Sequence, residues 1–216
     1  MEDVKSSTRS YGHYCGLARA LDLIGDRWSL LVVRELLPGP MRYGELLSSL
    51  NGIATNLLAG RLRRLEAAGI IERRLGETTG VEYALTSWGA ELREAVEALV
   101  RWSTPVMMTG PAPDDAFEPR WLAVALPGLL ADKRSGKDTE LGIDVSGDVM
   151  SLHIDENGPR VEIHPAERPP TVVQTSSPAL ILGIAAGVLD IEDVGSELEV
   201  DGNPKVVAEV LSAPSA

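Results

Sequence analysis

Three residues, Asn51, Gly52 and Ile53, separate two segments with helical apolar stripes, and no other feature narrows the fold as far. Tyr43, Leu46, Leu47 and Leu50 recur at i, i+3, i+4 and i+7, one face of a helix that begins near Arg42. Leu58, Leu62 and Leu65 mark the buried side of a second helix that begins near Ala54. Asn51-Gly52 closes the first, glycine being suited to the left-handed position after a helix, and Gly69 ends the second. Two short helices joined by a tight glycine-containing turn form a helix-turn-helix. Many small helical domains contain such a corner, so its flanks decide its use.

After the corner, IIERRLGETTGVEYALT reads as two β segments around a glycine-bounded tip. Ile71 alternates with Arg73 in the first arm, and Val81, Tyr83 and Leu85 alternate in the second. The polar tip has no core to bury in, so the hairpin projects as a wing. Before the corner, Leu17, Ala20, Leu21 and Ile24 fit a short amphipathic helix ended by Gly25. Asp26 can cap the next, because a short acceptor side chain satisfies the free N–H groups of a first turn. That helix runs through RWSLLVVRELL to Pro38-Gly39-Pro40. A long helix is expected from about Ser87, where Trp88, Leu92, Ala95, Leu99, Trp102 and Val106 recur at steps of 4, 3, 4, 3 and 4. Such a stripe packs either within its own domain or across a dimer, and its length does not separate the two.

With Leu58, Leu62 and Leu65 inward, Asn56, Ala59, Gly60, Arg63 and Ala67 face directly out, with Arg61 and Arg64 on one flank. Gly60 costs about 1 kcal/mol inside a helix relative to alanine. A helix with no close neighbour gains nothing from it, whereas small residues at Ala59 and Gly60 let another body approach the backbone. The major groove of DNA admits a helix and presents base edges to its N-terminal residues. Thr55 and Asn56 are then placed to read bases, and Arg63 and Arg64 to hold phosphates or a guanine edge. Arg73 and Arg74 on the wing can meet the adjacent minor groove or backbone. Arg27 and Arg42, at the starts of the second and third helices, suit backbone contacts. For each arginine singly, an ordinary solvated role competes.

A net charge of −12 looks wrong for a nucleic-acid binder, but its distribution resolves this. Residues 1–108 hold 13 Lys+Arg and 13 Asp+Glu, and residues 109–216 hold 7 and 19. Such asymmetry indicates two units with different partners. We expect a DNA-binding and dimerisation domain over 1–108, a Pro- and Gly-rich linker over 109–116, and a second domain over 117–216. No apolar run reaches about 18 residues, so no membrane span is expected. The polar N-terminus lacks a signal-peptide core, and the single Cys15 allows no intrachain disulfide, so a cytoplasmic location is expected.

The stretch YCGLARALDLIGDRWSLLVVRELLPGPMRYGELLSSLNGIATNLLAGRLRRLEAAGIIERR, followed by VEYALTSWG, resembles the HxlR-type winged helix-turn-helix regulators, relatives of the MarR group. The resemblance covers roughly residues 11–103 and rests on Cys15, LDLIGDRW, RYGEL, RLRRLE with AGII, and VEYALT. It implies a homodimeric bacterial transcription factor on a pseudo-palindromic operator. The chain departs from the family at GETTG, where a proline-containing turn is common, and at Ala59 and Gly60, which are often longer and polar. In several members a cysteine placed like Cys15 senses oxidants or electrophiles, and a helix N-terminus lowers a thiol pKa. The competing role for Cys15 is a small residue buried in a dimer core.

In the second half, Trp121, Leu122, Ala125 and Leu129 share a helical side. ELGIDVSG, DVMSLHID, PRVEIHP and TVVQTSS read as strands, with turn pairs at Gly147-Asp148 and Asn157-Gly158. PALILGIAAGVL, Pro178 to Leu189, is apolar all round, so it is buried or lines an apolar cavity, and Gly183 and Gly187 allow close approach on one side. A strand ELEVDG and a helix PKVVAEVL finish an α+β domain. Its order resembles the sterol-carrier-protein fold over roughly 117–211, which implies a tunnel for an apolar small molecule. Trp121, Leu122, Leu126, Leu180 and Ile184 are the candidate lining residues, with ordinary core as the competing role.

One cysteine and three scattered histidines give no metal-ligand spacing, no constellation suggests catalysis, and no cofactor is expected. The leading expectation is a dimeric DNA-binding repressor whose second domain takes an apolar effector. The rival is a lipid or acyl-chain carrier whose winged helix serves protein–protein contact. A third is a DNA binder whose second domain is only a brace.

Overall fold

The computed structural model describes residues 10–76, 80–107, 109–112 and 114–211. The chain divides after Glu91 into two compact units, one ending there and one beginning at Leu92.

The first unit opens with α1 (Gly16–Ile24) and α2 (Ser29–Leu36). Asp26 caps α2 as its sequence position predicts, its carboxylate accepting from the N–H groups of Trp28 at 3.0 Å and Ser29 at 3.1 Å. α1 packs inward through Ala18 and Ile24, leaving the expected apolar residues Leu17 and Leu21 exposed. A two-residue strand, β1 (Met41–Arg42), comes next and gives no sequence signal, because pairing rather than pattern defines it. The corner follows as α3 (Tyr43–Ser49) and α4 (Thr55–Ala67). Gly52 turns the chain at φ 84°, and buried Ile53 pins the turn to the core. Leu58, Leu62 and Leu65 are buried against the unit, each contributing up to about 1.5–3 kcal/mol on the extended-chain reference. α4 ends at Gly69 (φ 73°), where Ile70 N–H bonds Leu65 C=O and Gly69 N–H bonds Glu66 C=O. This double closure fixes how the chain leaves the helix.

It leaves into β2 (Ile71–Leu75), which pairs antiparallel with β3 (Val81–Leu85) in a three-stranded sheet of order β1-β3-β2. The residues 77–79 of the expected polar tip lie outside the described residues. The long helix expected from Ser87 is broken into α5 (Ser87–Ala90) and α6 (Leu92–Met107). Thr86 Oγ1 accepts from Gly89 N–H at 3.0 Å and donates to Gly69 C=O at 2.7 Å, so α5 is fastened to the end of α4.

The second unit begins with α6, a 3₁₀ turn (Pro119–Trp121) and α7 (Leu122–Leu129). α6 buries Val96 and half-buries Glu97 and Val100, while its regular stripe points the other way. Leu99, Trp102 and Val106 are 46%, 79% and 72% exposed. β4 (Thr139–Val145), β5 (Asp148–Asp155), β6 (Gly158–Ile163), β7 (Val172–Thr175) and β8 (Glu199–Asp201) form a five-stranded sheet of order β6-β5-β4-β7-β8. Among the described residues, only the β4–β7 pairing of this sheet is parallel. Both turn pairs sit one residue earlier than expected. Ser146 and Gly147, both at positive φ, make the first hairpin, and Glu156-Asn157 makes the second. α8 (Pro178–Ala185) and α9 (Pro204–Leu211) share one core with α7 and the inner sheet residues Leu141, Ile143, Met150 and Leu152.

α8 is shorter than its apolar run. Gly187 (φ 69°) terminates it, and Gly183 accommodates the Leu189 side chain, so the two glycines do different work. The outer sheet face is polar: Glu140 accepts from Ser151 Oγ at 2.6 Å, and Asp138 meets Arg160 at 3.1 Å.

Candidate nucleic-acid interface

α4 presents two sides of opposite character. Its leucines are buried, while Thr55, Asn56, Arg63 and Arg64 are exposed and Ala59 and Gly60 are half-buried. A Cβ added at Gly60 would meet nothing within 4 Å, and its φ lies outside the left-handed region. The packing of this unit therefore gives no reason for a glycine there.

Two contacts that the residue pattern did not reveal hold α4 in place. Tyr43 Oη donates to Thr55 C=O at 2.8 Å, fixing the first turn of α4 to α3. Tyr43 counted only as an apolar residue in the i, i+3, i+4 pattern, which is blind to its hydroxyl. Arg61 meets the Asp26 carboxylate at 2.9 Å, with side chains only 17% and 22% exposed. Asp26 thus caps α2 and holds α4 with one side chain. Its capping role was legible locally, but its partner lies 35 positions away in sequence and gave no signal.

The wing arginines divide similarly. Arg73 donates to Glu66 at 2.8 Å, and that hydrogen bond holds its already high pKa higher still. Arg74 pairs in register with Glu82, as does Arg42 from the other neighbouring strand, so the three share one row across the sheet. Arg42 lies 3.8 Å from the Glu82 carboxylate, and its backbone N–H donates to Glu45 at 2.6 Å. Arg27 is exposed, its guanidinium 5.6 Å from the Trp28 ring centroid. Among the described residues, Arg63, Arg64 and Arg74 make no ion pair.

Cys15 is exposed at the N-cap of α1, and the backbone N–H groups of Ala18 and then Leu17 hold its thiol below the ordinary value. The five apolar candidates of the second unit behave as core or its margin. Leu122, Leu126 and Ile184 are fully buried in one cluster, half-buried Leu180 packs against it, and Trp121 sits edge-on to Phe117 at 5.8 Å. A cleft in this unit lies elsewhere. It measures about 430 Å³ and is polar, lined by Asp144, Gln174, Ser176, Ser196, Glu197 and Glu199 among others.

A helix-turn-helix whose second helix runs directly into a projecting hairpin is a winged helix-turn-helix, the DNA-reading unit of a class of transcriptional regulators. The chain belongs to the HxlR-like helix-turn-helix family, whose model matches residues 23–110. It is 42% identical over 90 residues to a helix-turn-helix transcriptional regulator of Synechocystis sp., sll1512, an alignment covering 41% of this chain and 67% of that protein. It is 34% identical over 86 residues to the Bacillus subtilis regulator YodB, covering 39% and 77%. A Mycobacterium tuberculosis regulator, Rv3095, is 39% identical over 88 residues, and there the chain spans only 55% of the relative's length. The solved structure of quinone-bound YodB from B. subtilis is 31% identical, covers 41% of this chain and 96% of its own, and has a TM-score of 0.38. The family match ends at residue 110, ahead of α7 and the second sheet. No helix among the described residues is long and apolar enough to cross a membrane.

Proposed function

We propose that this regulator reads double-stranded DNA by seating α4 in the major groove, with repression as its mode of action. The observation that carries the reading is the outward side of α4, where Thr55, Asn56, Arg63 and Arg64 are exposed around a glycine that the fold does not need. Thr55 and Asn56 meet base edges, Arg63 and Arg64 the phosphates or a guanine edge, and Arg74 the backbone beside the wing. Arg27 adds a backbone contact. Arg42 and Arg73 serve first as ion-paired supports of the wing. The protein acts by binding rather than by catalysis, in the cytoplasm where its DNA lies. The Arg63→Ala/Arg64→Ala variant should flatten the dependence of log K on log salt by about 1.8 per protomer, or about 3.6 for a dimer. Unchanged affinity and slope would end the DNA reading and favour the carrier alternative.

The regulator works as a homodimer on a pseudo-palindromic operator. The exposed stripe of Leu99, Trp102 and Val106 supports this, since a single chain leaves three large apolar side chains of one helix in water. Leu99→Asp with Trp102→Asp should convert the sedimenting species to a monomer, and a wild-type monomer at micromolar concentration would refute the seam. The second unit follows a sterol-carrier-like plan, supported by its two-layer arrangement of apolar α7 and α8 over a sheet. An apolar effector there would have to part the packed side chains of Leu122, Leu126 and Ile184. Native mass spectrometry across a panel of fatty acids and sterols tests this, and no adduct would reduce the unit to a brace. For Cys15, exposure and the lowered pKa support redox sensing. Cys15→Ser should abolish any diamide-induced release of DNA, and retained sensitivity would exclude it.

A further inference from the structure

The wing carries an apolar pair that its own fold does not use. Leu75 and Val81 stand directly opposite each other on β2 and β3, and are 85% and 51% exposed. They occupy the last rung before the tip, closed by the Gly76 N–H bond to Gly80 C=O at 3.0 Å. A cross-strand pair in water steadies a hairpin only slightly. Within the described residues nothing covers the pair, so both side chains are available to a contact outside the unit.

Three features indicate the chemistry of that contact. The ribbon leaves α4 through a rigid closure at Gly69, so its course is fixed relative to the reading helix. Its five-residue arms reach roughly 17 Å, far enough to leave the groove that α4 occupies. Arg74, the chain neighbour of Leu75 on the opposite face, is exposed and unpaired among the described residues, so the ribbon offers a cation beside an apolar edge. The DNA minor groove matches this pairing, with phosphates at its lip and walls of deoxyribose carbon lacking the 2′-hydroxyl of RNA. We propose that Leu75 and Val81 form an apolar contact of the wing with the deoxyribose wall of the minor groove. The proposal rests on the DNA reading of α4 and adds a binding term that salt does not screen.

The test uses the full-length protein and a duplex enriched by wild type from a randomised pool. Leu75→Ser with Val81→Thr should weaken binding about tenfold with the salt slope unchanged, because no phosphate contact is lost. A photoactivatable diazirine analogue of leucine at position 75 should crosslink to DNA. Wild-type affinity in the double variant, while Arg63→Ala/Arg64→Ala loses binding, would overturn the apolar contact and leave the DNA reading intact. Loss of binding by neither variant would overturn both. A salt slope that falls with affinity, a changed sedimentation coefficient of the free variant, or crosslinks only to a second protein copy would each overturn the proposal.

Discussion

Gly60→Ala should make the protein more stable and worse at binding DNA. Gly60 is the sixth residue of the thirteen-residue α4, well inside the helix. Alanine there avoids the backbone entropy that glycine loses, a gain of about 0.8–1 kcal/mol. The gain is not offset by strain, since a Cβ at this position meets nothing within 4 Å and the backbone is not left-handed. A melting temperature for the whole chain would blur the effect, because two compact units need not unfold together. Amide hydrogen exchange of α4 isolates it, and a gain of 1 kcal/mol should slow exchange at Leu62 and Leu65 about fivefold. If DNA seats on α4 as proposed, the same methyl would occupy the space through which it approaches the helix backbone. Overpacking of this kind costs about 1–3 kcal/mol, roughly a 5- to 150-fold loss of affinity per protomer by fluorescence anisotropy. Slower exchange with unchanged affinity would refute the close approach at Gly60. Faster exchange would refute the helix energetics themselves.

Other substitutions probe the supports of the reading helix and the second unit. Gly89→Ala should lower the urea midpoint of the first unit, costing about 1–3 kcal/mol or more, because its Cβ would stand 2.0 Å from the Ile70 carbonyl oxygen. Asp26→Ala should cost about 0.5–2 kcal/mol more than Asp26→Asn, since asparagine still caps α2 while both variants release Arg61 from its charge partner; equal midpoints would show that the cap contributes nothing. Burial, partly offset by Arg93, raises the Glu97 pKa. The folded state therefore holds that proton more tightly, an advantage present below the unfolded value and lost as pH rises through the folded one. Glu97→Gln should accordingly raise the midpoint at neutral pH, with the difference closing as pH falls below about 4.3.

What was legible in the chain was whatever depends on near neighbours. The corner between α3 and α4, the hairpin, the Asp26 cap and the succession of strands in the second unit all follow from apolar period and turn chemistry. Misses arose where a distant partner decides the outcome. Nothing local announces that Met41 and Arg42 pair with β3, or that Tyr43 reaches Thr55. The break after α5 is set by Gly89 pressed on Ile70 and by Thr86 bonded across to Gly69, whereas the heptad steps run through it without interruption. Helical period locates an apolar stripe but not what covers it. α6 buries Val96 and leaves the more regular stripe of Leu99, Trp102 and Val106 outside. At the site, the same blindness concerns charge. Sequence places arginines on a face but does not say which are already neutralised.

That last distinction has a measurable consequence for binding. Seven arginines in and around the reading head could meet phosphate: Arg27, Arg42, Arg61, Arg63, Arg64, Arg73 and Arg74. Three are engaged by carboxylates within the first unit, Arg42 by Glu82, Arg61 by Asp26 and Arg73 by Glu66. Moving one of these to DNA strands a carboxylate beside the phosphates, so its counterion release is largely cancelled. Arg27, Arg63, Arg64 and Arg74 remain, and at about 0.9 per phosphate contact they give a slope near −3.6 per protomer, or roughly −7 for a dimer. Were all seven to bind, the dimer slope would approach about −13. Titrations of one duplex between 50 and 200 mM salt, about the range in which such slopes are measured, separate these values. A slope near −13 would mean that the clamps open on DNA and that Asp26, Glu66 and Glu82 are gates rather than supports. A slope near −7 that steepens by about 0.9 per protomer in Asp26→Asn would identify the Asp26–Arg61 pair as the device that keeps this head from gripping DNA of any sequence.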